Sequence, residues 1–135
     1  MDINPGDKLE RLVTQLGHNI LVVDDDKLIR DLTKDILNNY GYAVMTANDG
    51  VECVDIYSKM NKDISCVILD INMPNMSGRE AFIRMKEFNP NVKVIVSTGH
   101  PEKYKVDMAR LGASGFLKKP YEVDELVQKV RTILE

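Results

Sequence analysis

Two hydrophobic rhythms alternate along the chain. Five short runs are dense in Val and Ile: Asn19 to Asp24 (NILVVD), Tyr42 to Ala47 (YAVMTA), Ser65 to Asp70 (SCVILD), Val92 to Thr98 (VKVIVST) and Ser114 to Lys118 (SGFLK). β-branched side chains suit a pleated surface, so each run predicts a strand. The first, third and fourth are apolar at adjacent positions, the mark of parallel strands covered on both faces. Between the runs the spacing changes to three and four: Leu28, Ile29, Leu32, Ile36 and Leu37, then Val51, Val54 and Tyr57, and finally Val123, Leu126, Val127, Val130, Ile133 and Leu134. These stripes predict helices. Asp49, Ser77, Pro101 and Glu122 mark helix starts, and Gly41 and Gly112 follow helix ends. Strict βα alternation with right-handed crossovers gives an α/β fold: one doubly wound (βα)5 domain whose functional site stands at the carboxyl ends of the strands. A further stripe, Leu9, Leu12, Val13 and Leu16, with Asp7 and Glu10 at capping-box spacing, predicts an amphipathic helix in an N-terminal extension over residues 1–18. Packing on its own domain and serving as a linker or dimerisation helix are both open to it.

Composition agrees with one domain at residues 19–135. A chain of 135 residues with 44% hydrophobic and 29% charged positions builds a core and a solvated surface. Eighteen Lys and Arg stand against 21 Asp and Glu, a net charge of -3. That leaves no basic surplus for direct nucleic acid binding. Cys53 and Cys66 sit in apolar runs without CxxC spacing, which favours buried thiols over a disulfide or zinc site. No apolar run reaches membrane-spanning length, and the opening MDINPGDKLE lacks the pattern of a signal peptide. The expected location is the cytoplasm, without membrane contact.

The strand ends carry the candidate chemistry. The first run closes on Asp24, Asp25 and Asp26, adjacent carboxylates that repel unless a cation lies among them. The third closes on Asp70, followed by Ile71, Asn72, Met73 and Pro74. With strand order 2-1-3-4-5 the first and third strands are neighbours, which sets Asp70 against Asp24 and Asp25 across a spacing of ~4.8 Å. Three carboxylates sharing a pocket suit a hard divalent cation such as Mg²⁺. The fourth run ends in Ser97, Thr98 and Gly99, and the fifth in Lys118, Lys119 and Pro120. A hydroxyl and an ammonium beside an acidic pocket are the parts that stabilise a phosphoryl group on a carboxylate.

With ILVVDDD, VILDINMP, VIVSTG and FLKKP in this order, residues 19–135 resemble the receiver domain of two-component response regulators. The resemblance implies a flavodoxin-like fold and a phospho-accepting Asp70. It also implies Asp25, Asp70 and the Asn72 carbonyl as direct Mg²⁺ ligands, with Mn²⁺ as a substitute, and Asp24 as a ligand through water. Thr98 matches the switch hydroxyl, Lys119 the lysine that bonds the phosphoryl group, and Phe116 the switch aromatic. Asn72 and His100 match the positions that tune phosphoryl lifetime, and Lys119 to Pro120 the peptide that is usually cis. The implied donor is a phosphohistidine on a histidine kinase or histidine phosphotransfer protein, since neither His18 nor His100 has a kinase's setting. The implied output is a partner protein or adjoining domain read through the fourth helix, fifth strand and fifth helix, with a phosphorylation-dependent homodimer as one form. Such a domain is not an enzyme beyond transfer to, and hydrolysis from, its own aspartate. It stands free or forms part of a larger protein such as a hybrid kinase.

The competing reading is a haloacid-dehalogenase-like, Mg²⁺-dependent phosphatase using the D-x-D of Asp24 and Asp26. It expects Thr or Val where Leu28 stands and an acidic pair after the fourth strand, which this sequence lacks. A flavin-binding module of similar architecture needs hydroxyls and amides in its first loop, where three aspartates would repel the phosphate.

Overall fold

The computed structural model describes residues 17–135, and the helix expected over 7–16 lies outside them. Strands and helices alternate without exception: β1 (Asn19–Val23), α1 (Lys27–Asn39), β2 (Ala43–Ala47), α2 (Gly50–Met60), β3 (Ile64–Asp70), α3 (Gly78–Phe88), β4 (Val94–Thr98), α4 (Pro101–Leu111), β5 (Gly115–Lys118) and α5 (Val123–Leu134). All five strands are parallel, in the order β2-β1-β3-β4-β5. This is the doubly wound α/β fold expected from the sequence.

The sheet is buried on both faces because successive side chains point to opposite sides. Leu21, Val23, Val67, Leu69, Val94 and Val96 pack against Tyr57 of α2, Phe82 and Met85 of α3 and Met108 of α4. Ile20, Val22, Cys66, Ile68, Ile95 and Leu117 pack against Leu37 of α1 and Leu126 and Val130 of α5. The adjacent apolar positions of β1, β3 and β4 thus serve two cores at once. Cys53 and Cys66 are free and buried, and burial pushes both thiols up to about 12.

Helix boundaries follow local chemistry. The side chains of Asp26, Asp49 and Ser77 each accept backbone N–H groups of the turn they precede. Pro101 opens α4 and Gly112 closes it in the left-handed region at φ 99°. Glu122 precedes α5 without a capping bond from its side chain.

The α1 stripe departs from expectation. Thr33 and Leu37 face the core, whereas Leu28 is 76% and Leu32 57% exposed. Residues 32 and 33 stand about 100° apart around a helix, so a line through 28 and 32 cannot share the face buried through 33 and 37. His18 is half-buried, and its Nδ1 lies 3.2 Å from Ser65 Oγ. No helix among the described residues is long and apolar enough to cross a membrane.

Candidate functional site

Parallel register builds the pocket. Val23 pairs with Leu69 across β1 and β3, so the residues that follow, Asp24 and Asp70, leave the sheet side by side. One carboxylate oxygen from each of Asp24, Asp25 and Asp70 falls within 4.8 Å of the others. Asp24 and Asp70 are buried and Asp25 is exposed, which leaves the group open to solvent on one side. Asp26 does not belong to this group. Its Oδ1 accepts the amides of Leu28 at 2.9 Å and Ile29 at 3.4 Å, capping α1, so the second acid of the D-x-D is committed to the helix.

Across the pocket stands Lys119, carried by the loop after β5. Its Nζ lies 2.6 Å from Asp24 Oδ2 and 3.4 Å from Asp70 Oδ1. The peptide joining it to Pro120 is cis, and its amide donates to the Thr98 carbonyl at 2.8 Å. One ammonium faces three carboxylates, which leaves a net negative pocket. Burial raises the Asp70 carboxyl to about 6; the Lys119 charge opposes this, and the Asp24 charge adds to it. Burial also works against charge on Lys119, but its hydrogen bond to Asp24 and the charges of Asp70 and Asp24 outweigh it and hold the amine above the ordinary lysine range. An oxygen-only donor set that is buried, negative and open on one side fits a hard divalent cation. In such a site the cation would screen the carboxylates from one another and from incoming phosphoryl oxygens.

The other sequence-derived positions lie around this centre. Thr98 ends β4 fully buried, its Oγ1 accepting the His100 amide at 3.1 Å. Asn72 is exposed, and its amide reaches Asp70 Oδ1 at 3.4 Å. Phe116 pairs with Val96 and packs half-buried beside the core under α4. His100 points to solvent, with Glu102 3.9 Å from its Nδ1.

Sequence reasoning missed several supports. Arg30 Nη1 donates to the Asp24 carbonyl at 2.7 Å, fixing the backbone of the acidic turn. At Gly78 a Cβ would sit 2.3 Å from the Asp70 carbonyl oxygen, so only glycine lets α3 start against the end of β3. Asn75 adopts φ 69° in the intervening loop and donates to Asp49 Oδ2 at 3.2 Å. Tyr104 of α4 donates its hydroxyl to Asn72 Oδ1 at 3.2 Å. Ser77-Gly78 and the Asn75 position were the available signals; the Arg30 and Tyr104 contacts have no local signature.

Comparison with known proteins identifies relatives of the whole domain. The family model described as the response regulator receiver domain matches residues 20–131. The chain is 34% identical over 120 residues to Sporulation initiation phosphotransferase F of Bacillus subtilis, covering 88% of this chain and 95% of that protein. It is 32% identical to Chemotaxis protein CheY of Thermotoga maritima, covering 87% and 98%. It also matches Response regulator MprA of Mycobacterium, of which it spans 50%. Among solved structures, response regulator protein TrrA of Thermotoga maritima, in complex with Mg(2+)-BeF, superposes with a TM-score of 0.77 at 34% identity, covering 86% of this chain and 98% of that one. The CheX-CheY-BeF3-Mg complex of Borrelia burgdorferi gives 0.83 at 31%, covering 87% and 90%.

Proposed function

Because this chain belongs to the response regulator receiver family, we propose that Asp70 accepts a phosphoryl group from a phosphohistidine of a histidine kinase or histidine phosphotransfer protein. The observation that carries this reading is the convergence of Asp24, Asp25 and Asp70 within 4.8 Å, with Lys119 Nζ 3.4 Å from Asp70.

The residues divide the work. The P–N bond of the donor breaks as an Asp70 oxygen bonds to phosphorus, and the freed imidazole nitrogen takes up a proton. Asp24, Asp25, Asp70 and the Asn72 carbonyl would hold Mg²⁺, which supplies neutralising charge in this transfer; Mn²⁺ presents the same hard chemistry. Lys119 puts fixed positive charge beside the arriving oxygens, and Thr98 offers a hydroxyl to one of them. Phe116 responds to Thr98, and α4, β5 and α5 form the face read by a partner protein, an adjoining domain or a second copy. His100, at the mouth of the loop after Thr98, and Asn72 tune how long the group persists. The domain signals in the cytoplasm and turns over no substrate beyond its own aspartyl phosphate. Residues 19–135 form the receiver and 1–18 its extension.

Phosphorylation with acetyl phosphate, borohydride trapping and peptide mass spectrometry test this directly. Label is expected on Asp70 only with Mg²⁺ or Mn²⁺ present, and Asp70→Asn should abolish it. Label elsewhere, or independent of a divalent cation, overturns the assignment.

A further inference from the structure

Asn72 sits two residues beyond Asp70, and its backbone amide points back at Asp70 Oδ1. Asn72 is exposed, so solvent water reaches its side chain. An attacking water needs a hydrogen-bond acceptor to orient it, and the Asn72 amide offers one such atom, Oδ1. One of its two lone pairs accepts the Tyr104 hydroxyl at 3.2 Å, which fixes the direction in which the amide faces. Tyr104 is itself well anchored: its half-buried ring packs on the core beside α4, with the Lys103 ammonium 5.4 Å from the ring centroid. The contact joins the acceptor loop after β3 to the first turns of α4, elements 32 residues apart.

We propose that Tyr104 is a positioning residue that prolongs the life of the Asp70 phosphoryl group by holding Asn72 Oδ1 turned toward α4. The inference rests on Asp70 being the acceptor. In the step it slows, a water oxygen bonds to phosphorus as the P–O bond to Asp70 breaks. Asp70 leaves as a carboxylate, and the water proton passes to the departing phosphate or to solvent. Asn72 Oδ1 takes no proton; it only aims the water when Tyr104 does not hold it. Because α4 carries Tyr104, any displacement of this helix would also change the lifetime, linking output contacts to signal decay.

The test is loss of phosphoryl label from Asp70 after removal of acetyl phosphate, in wild type, Tyr104→Phe, Asn72→Ala and the double variant, all with Mg²⁺. A lost neutral hydrogen bond predicts decay about threefold to tenfold faster in Tyr104→Phe. The same change should have no effect in the Asn72→Ala background, which a purely structural role for Tyr104 would not produce. Unchanged or slower decay in Tyr104→Phe, or equal acceleration with and without Asn72, overturns the proposal while leaving Asp70 as acceptor. Absence of label on Asp70 in wild type overturns both. The Asn72 side-chain amide resonances of the unphosphorylated protein provide an independent check, since they should shift in Tyr104→Phe if the contact exists; no shift also counts against it.

Discussion

Asp70 is buried, yet the proposed transfer needs it as an anion. Burial is the largest influence on its carboxyl, and the raised value of about 6 states how poorly the folded protein without metal tolerates that charge. The folded state therefore binds a proton more tightly than the unfolded chain, whose ordinary value is 3.8. Stability from this group is present at low pH, falls as pH rises from about 4 to about 6, and is fully lost above. Asp70→Asn removes the charge at nearly constant shape. In the absence of divalent cation it should be more stable than wild type by roughly 1–3 kcal/mol at pH 7.5, with the difference closing toward pH 4. Urea unfolding at both pH values, with chelator, measures this. Millimolar Mg²⁺ should stabilise wild type and leave Asp70→Asn nearly unmoved. A variant less stable than wild type at pH 7.5 would show that Lys119 already compensates the charge. Asp25, being exposed, should yield a smaller gain when replaced.

At the scale of elements, much was legible in sequence because periodicity, caps and breakers act locally. The Val and Ile runs located all five strands, and Asp49, Ser77, Pro101 and Gly112 marked helix ends that the structure places within a residue. The acidic cluster was also legible, since parallel register and strand order bring the ends of β1 and β3 together. What escaped depends on which face of an element meets which neighbour. Spacing alone could not show that Leu28 and Leu32 lie outside the buried stripe of α1, nor that Arg30 reaches back to the Asp24 carbonyl. Both leucines stand exposed on α1, the helix that begins directly after the acidic turn, where a docking protein could cover them. Burying two exposed leucines contributes a few kcal/mol to association at most. Leu28→Gln with Leu32→Gln should thus slow transfer from a phosphohistidine protein by roughly tenfold or more. Labelling by acetyl phosphate, which needs no docking surface, should be unchanged. Equal loss with both donors would point to a damaged pocket instead.

At the scale of the whole molecule, a charge event in the pocket must become a packing change at a distance, and the fold supplies a short route. Thr98 is buried at the end of β4, one residue from the loop that opens α4, and its hydroxyl now accepts the His100 amide from that loop. The hydroxyl can donate to a phosphoryl oxygen on Asp70 while it keeps accepting that N–H, so a Thr98 side chain drawn toward the pocket takes the loop with it. Phe116 pairs with Val96 on the adjacent strand and is only half-buried beside the cluster that includes Tyr104 and Met108, so space opened beneath the loop can be filled by its ring. Two states then differ in contacts at both ends, which is the requirement for coupling. Beryllofluoride with Mg²⁺ should shift amide resonances well beyond the pocket, clustered in residues 99–122. Thr98→Ala should shrink those distant shifts while Asp70 still accepts a phosphoryl group. Shifts confined to residues touching the ligand, or undiminished in Thr98→Ala, would rule out this route and leave a domain that stores phosphate without moving its α4-β5-α5 face.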